Sequence, residues 1–311
     1  MIQTSSARQH VPTAAFGPEA PGWGSWNWIG ADLARALARV FATQTFRAWE
    51  IPDCDVVIVV KHPPGIEWVE RVARSAAIIY APVDAYDSAA AIDSDALWLR
   101  KCDRIVVHCD RLRKYFTPYV SVEYLDHHVK FAAPVRQAFK PRGNVVWVGV
   151  RSNLAPLIRW VNEHSLPAPL DVLTNLENPE RVPTPAEVGF RTDREVRIHH
   201  WSPERQIALT IAGRGAIDIK GDDFRSRHKP PAKAIDFVAS GFPLAMIEES
   251  SPVEHLARMG FDVASPLDPE RWLSRDYWEE TQRFGLAIRE LLSLERVARR
   301  WGHLIEQVLA V

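Results

Sequence analysis

"HHVKFAAPVRQAFKPRGNVVWVGV", His127 to Val150, decides how the chain is divided. Its first part carries Pro134, Pro141 and Gly143 among scattered charges and keeps no helical or strand period. Its last part, Asn144–Val150, is a β-branched run that reads as a buried parallel strand. A Pro- and Gly-bearing break followed by a fresh buried strand marks a linker and the start of a second domain. The expected division is a first domain at 1–130, a linker at 131–143 and a second domain at 144–285, followed by a helical end at 286–311.

Working outward from the break, both sides alternate strands and helices. Upstream, "DVVIVVK" (Asp55–Lys61), "AIIYAP" (Ala77–Pro82), "DRIVVHC" (Asp103–Cys109) and "SVEYL" (Ser121–Leu125) read as strands. Between them "IEWVERVARS", "SAAAIDSDALWLRK" and "DRLRKYF" read as helices. Downstream, "LDVLTN", "EVRIHHW" and "AIDIK" are strands, and "NLAPLIRWVNEH" and "SPERQIALTIAG" are helices. In the second of these helices, Ser202 is the N-cap and Pro203 the first helical residue. The chain ends in one or two long amphipathic helices from Asp276. The fold class is therefore α/β, with two doubly wound parallel sheets in sequence. In such sheets ligands collect at the carboxyl ends of the strands, and two facing domains make a cleft.

Bulk composition sets outer limits. The 311 residues are 47% hydrophobic and 25% charged, with net charge -1, so neither nucleic acid nor an anionic membrane is an obligatory partner. Three cysteines, with no CxxC pair, argue against a disulfide framework and fit a reducing cytoplasm. No apolar run reaches the ~20 residues of a membrane span. The N-terminal stretch "MIQTSSARQHVPTAAF" lacks the apolar core of a secretory leader.

The densest chemistry lies in "HKPPAKAIDFVASGFPLAM", His228–Met246. Pro230 and Pro231 suit the first turn of a helix, Gly241 its C-terminal cap and Pro243 its stop. The helix N-terminus offers free N–H groups and the positive dipole end. Arg225, Arg227, Lys229 and Lys233 crowd that end, and Lys220 leaves the preceding strand at the same sheet edge. Asp236 follows one turn on, where a carboxylate can accept both hydroxyls of a ribose. Together these make a nucleoside-diphosphate constellation. The plainer alternative is a solvated Lys233–Asp236 ion pair and a simple helix stop.

"PPAKAIDFVASGFPLAM" resembles the P-x-K-x-x-E-x-x-A-x-G-x-P-V-I segment of GT-B glycosyltransferases, above all the large retaining, nucleotide-sugar-dependent family. "IIYAPVDAYDS", "LRKCDRIVVHCDRLRKYF", "VEYLDHHVKF" and "VVWVGV" resemble further stretches of that family, in the same order. The resemblance implies a GT-B-like fold of two Rossmann-like domains facing across a cleft, with the C-terminal helix packing back on the first domain. It implies a sugar transferred from a nucleotide-diphosphate sugar, bound by the second domain, to an acceptor on the first. Carried over by position, Lys233 holds the donor diphosphate, Asp236 the ribose, and Gly241 the turn. His228 stands where the family has its first Glu, and Arg151 alone represents the family's cations near the start of the second domain. No metal is required, because lysines and a helix end can neutralise a diphosphate. A sugar-nucleotide epimerase and a non-catalytic sugar-nucleotide-binding protein are the alternatives on the same fold.

Other candidates lie in the first domain. "PGWGSWNWIG" (Pro21–Gly30) offers Gly24 for backbone approach and Trp26 or Trp28 for stacking on a sugar. Lys61 and His62 leave one strand at the functional edge, and Asp84 and Asp87 the next. Asp84 and His62 are the candidate bases, and Asp84 and Asp87 are equally candidates to cap the helix near Ser88. His127, after the fourth strand, is a candidate cleft residue. Adjacent His127 and His128 face opposite ways on an extended chain and so do not share a metal. A second basic group, Arg100, Lys101, Arg104, Arg111, Arg113 and Lys114, suits a solvated face or peripheral membrane contact.

Overall fold

The computed structural model describes residues 11–62, 65–135 and 138–311. The leader reading of the first ten residues lies outside the described residues, as do Pro63, Pro64, Arg136 and Gln137. The chain divides into two compact units, Met1–Leu125 together with Leu294–Val311, and Asp126–Ser293.

The first unit is built on six parallel strands: β1 (Thr13–Gly17), β2 (Ala42–Thr45), β3 (Val56–Val60), β4 (Ala77–Ala81), β5 (Arg104–Val107) and β6 (Val122–Tyr124). Their order is β2-β1-β3-β4-β5-β6. The chain steps outward from β1 to β2, then reverses and runs from β3 to β6. The topological switch therefore falls between β1 and β3. Every residue of β3 is buried, as expected for a strand covered on both faces. The connecting helices are α1 (Asp32–Leu37, entered through a π-helical turn at Trp26–Ala31), α2 (Ile66–Val72), α3 (Ala89–Ser94), α4 (Ala96–Leu99) and α5 (Arg113–Phe116). Sequence reading missed β1 and β2. β1 is "TAAFG", poor in β-branched residues, yet Ala14, Ala15 and Phe16 are completely buried because the strand lies between two neighbours.

The second unit has five parallel strands: β7 (Val145–Val148), β8 (Leu170–Thr174), β9 (Val196–His200), β10 (Gly215–Asp218) and β11 (Leu244–Met246). Their order is β11-β10-β7-β8-β9, so its switch lies between β7 and β10. The helices are α6 (Leu154–Glu163), α7 (Pro185–Val188), α8 (Pro203–Ala212), α9 (Phe224–Arg227), α10 (Ala232–Ala239), α11 (Ser251–Arg258), α12 (Pro269–Trp272) and α13 (Arg275–Leu291). Ser202 caps α8 by accepting from the Arg205 N–H, with Pro203 next to it. Gly241 ends α10 in the left-handed region (φ +60°), its N–H bonded to the Val238 carbonyl. α13 crosses α10 at Gly285, where a methyl group would overlap the Val238 carbonyl oxygen.

The last helix, α14 (Leu294–Leu309), belongs to the first unit and packs on α1. The element associated with that unit therefore begins at Leu294, not at 286. The break between the units falls at Leu125–Asp126, upstream of 131–143. Residues 126–135 have no regular structure, but they are not a loose tether. Asp126, His127 and His128 are buried. The Val129 N–H donates to the Leu292 carbonyl at 2.9 Å, Lys130 N–H to Asp236 Oδ1 at 2.8 Å and Ala133 N–H to Ser240 Oγ at 2.9 Å. Proline and glycine announced irregular backbone correctly; hydrogen bonds to α10 and the end of α13 fix it in place.

Candidate functional site

The second unit's switch point gathers cations. β7 ends in Trp147-Val148 and β10 in Asp218, so two adjacent strand ends open on the same edge. α10 enters beside them, and Lys233 in its first turn reaches back. Its Nζ donates to the Val148 carbonyl at 2.7 Å, lies 5.4 Å from the centre of the Trp147 ring and stands 4.0 Å from Asp218 Oδ1. Lys220 Nζ is 2.6 Å from Asp218 Oδ2. Lys229 Nζ donates to Asn153 Oδ1 at 2.8 Å, and Ser251 Oγ donates to the Lys229 carbonyl. Burial alone would push the Asp218 carboxyl up. The charges of Lys220, Lys233 and Lys229 outweigh it and hold the group below the ordinary carboxylate value.

Other expected donor residues lie differently. Asp236 was expected to face a ribose, but its side chain points inward. It is 2% exposed, holds the Lys130 N–H, and lies near the Phe131 N–H and the Arg289 guanidinium. Burial pushes its carboxyl up to about 7. Aspartate sits here where the resembled segment has glutamate, and its shorter arm ends at the irregular 126–135 chain. The Arg151 guanidinium pairs with Glu177 at 2.9 Å, while its N–H donates to Asn175 Oδ1. Arg227, at the end of α9, is exposed. His228 lies tilted against Phe224 with ring centres 4.1 Å apart, and its Nδ1 lies 2.6 Å from the Phe224 carbonyl. Asp223 caps α9 by accepting from the Ser226 N–H, so "GDDF" is a helix start.

The first unit has its own edge cluster. Lys61 and His62 follow β3, and the Lys61 backbone is left-handed (φ 60°). Lys61 Nζ lies 4.2 Å from the centre of the Trp23 ring, and His62 meets the same ring edge-on at 4.8 Å. Tyr80 Oη donates to the Lys61 carbonyl at 3.3 Å. Partial burial and the Lys61 charge hold the His62 imidazole below its ordinary value, which favours a neutral ring. Asp84, beyond β4, is also left-handed (φ 51°), and its shielded Oδ1 has no hydrogen-bond partner. Two non-glycine residues in this region at neighbouring strand ends are strained backbone of the kind concentrated at functional sites.

Neither Asp84 nor Asp87 caps α3. Ser88 does, by accepting from the Ala91 N–H, and Asp87 Oδ1 accepts from Ser88 Oγ. Trp26 is buried over Gly30 rather than offered to a ligand. The available indole is Trp23, 47% exposed. Sequence reading passed over Trp23, although its place between Gly22 and Gly24 marked it as the tryptophan outside the helix. Gly24 is exposed beside Trp28. His127 is buried and belongs to the second unit. In the second basic group, Phe116 is core, Arg113 pairs with Asp110, and Arg100 lies over Tyr119. Among the described residues no helix is long and apolar enough to cross a membrane.

No family model and no curated protein matches the chain. Solved structures do. AviGT4, a glycosyltransferase involved in avilamycin A biosynthesis, aligns with TM-score 0.60 at 13% identity over 96% of this chain and 98% of its own. A structure described as trehalose-6-phosphate from E. coli bound with UDP-2-fluoro glucose aligns with TM-score 0.61 at 8% identity over 95% and 99%. The pneumococcal O-GlcNAc transferase GtfA, in complex with UDP and GlcNAc, aligns with TM-score 0.57 at 13% identity over 82% of this chain and 57% of its own. At these identities the likeness is one of fold. The chain has the GT-B glycosyltransferase-like architecture of two Rossmann-like α/β domains.

Proposed function

We propose that this chain is a nucleotide-sugar-dependent glycosyltransferase whose donor diphosphate is held by Lys220, Lys229 and Lys233. The observation that carries this reading is the convergence of those lysines at the β7/β10 switch point, where open α/β sheets bind ligands. The glycosyltransferase structures of the same fold, one of them in complex with UDP, support it.

In the reaction, the acceptor oxygen bonds to the anomeric carbon. The bond from that carbon to the diphosphate breaks, its electron pair passing to the phosphate oxygen. The lysines stabilise the charge that develops there, without calling on a metal. On the first unit, neutral His62 takes the acceptor proton, with Asp84 at the neighbouring strand end and Trp23 as the stacking face. Asp236 has no part in ribose binding and acts as a packing residue.

A second reading, a sugar-nucleotide-binding protein without turnover, draws on His228 in place of the family's first Glu and on the inward Asp236. One measurement tests the donor site and a second separates the readings. Calorimetry of nucleoside diphosphates should show binding that weakens roughly ten- to a hundred-fold in Lys233→Ala, the loss of one charge-assisted hydrogen bond. Slow hydrolysis of the donor sugar, lost in His62→Ala, marks the enzyme. Binding with no hydrolysis marks the binder. Unchanged affinity in Lys233→Ala removes the lysine cluster as the donor site.

A further inference from the structure

We propose that Asp218 is the positioning residue of this lysine cluster, setting its geometry. The inference rests on the donor reading above. Asp218 closes β10 and is 3% exposed, so its carboxylate lies under the edge. Three chain segments send a lysine towards it: the exit of β10 (Lys220), the approach to α10 (Lys229) and the first turn of α10 (Lys233). Three converging ammonium groups repel one another. Held apart by long side chains, they would spread into solvent and lose the geometry a ligand needs. A buried carboxylate 2.6 Å from one and 4.0 Å from another gives them a fixed anchor. The Val148 carbonyl and Asn153 secure the other ends of the arrangement.

The two roles an acid can play here predict opposite signs. If Asp218 only dilutes positive charge, Asp218→Asn makes the site more cationic and binding tightens. If it positions the lysines, the same change weakens binding. Isothermal titration of UDP, GDP, ADP and dTDP against the wild-type chain selects the tightest as probe. Asp218→Asn is expected to weaken that nucleotide by about tenfold or more. Asp218→Glu, which keeps the charge and displaces it by one methylene, should weaken it too. The losses in Asp218→Asn and Lys220→Met should be less than additive in the double variant. Equal or tighter binding in Asp218→Asn, or full affinity in Asp218→Glu, overturns the proposal and leaves the donor site standing. A wild-type chain that binds none of the four nucleotides overturns the donor reading, and this inference with it.

Discussion

Asp236 is a carboxyl group buried at the junction of α10, α13 and the irregular 126–135 chain. Its native value of about 7, against an ordinary 3.8, means that the folded chain binds a proton the unfolded chain has already released. Stability therefore falls as pH rises through that window, by at most about 1.4 kcal/mol per pH unit from this one group, and stays lower above it. Asp236→Asn keeps the acceptor for the Lys130 N–H and removes the titration. Urea unfolding at pH 4, 5.5, 7 and 8 should show a flatter profile in the variant, and a wild-type profile as flat as the variant's would contradict the assignment. At this scale the sequence was a partial guide. Lys220, Lys229 and Lys233 were legible because a helix start after two prolines and a strand exit fix where lysines go. The direction of Asp236 was not, because helical spacing tells which face a residue takes and not what the opposing chain offers. Trp23 against Trp26 turned on where the first helical turn begins, since Trp23 precedes it and Trp26 lies within it.

The crossing of α10 by α13 leaves no room for a side chain at position 285. Gly285 gives the Val238 carbonyl its room, and Gly241 beside it keeps a left-handed cap against Gln282. Gly285→Ala forces the helices apart or bends α13, and overpacking of this kind costs about 1–3 kcal/mol. A lowered denaturation midpoint with an unchanged dependence on denaturant is the expected result. Ala at Leu286, an exposed position one residue on, should be close to neutral by the same assay. Periodicity found most elements because parallel strands buried on both faces are unbroken apolar runs. It failed on β1 and β2, where alanine, threonine and glutamine form strands only because neighbouring strands pair with them.

At the scale of the whole molecule, the first unit depends on a helix that arrives from the far end of the chain. α14 buries Val297, Ala298, Trp301, Leu304, Ile305 and Val308, and Gly302 lies against Leu37 and Phe41. At about 1.5–3 kcal/mol for each larger side chain, this amounts to roughly 10 kcal/mol, as much as the whole stability of an ordinary domain. A chain ending at Ser293 should leave the first unit open to proteolysis while the second stays protected, and equal protection of both would show that α14 is dispensable. The two-domain α/β architecture was legible from alternation alone. The boundary was not, because a segment rich in proline can be as firmly hydrogen-bonded as a helix.

That discontinuity also fixes an order of events during synthesis. The second unit is one continuous stretch, complete once Ser293 has emerged, whereas the first has every strand made early and must wait for Leu294–Val311. Domains fold as units as they leave the ribosome, ordinarily from the N-terminus onward. Here the order is inverted: the later half is made without a break, and the earlier half stays unsealed along Leu37 and Phe41 until α14 has emerged. Nascent chains stalled just before α14 should therefore be the ones that recruit chaperones, and emergence of Leu294–Val311 should free them.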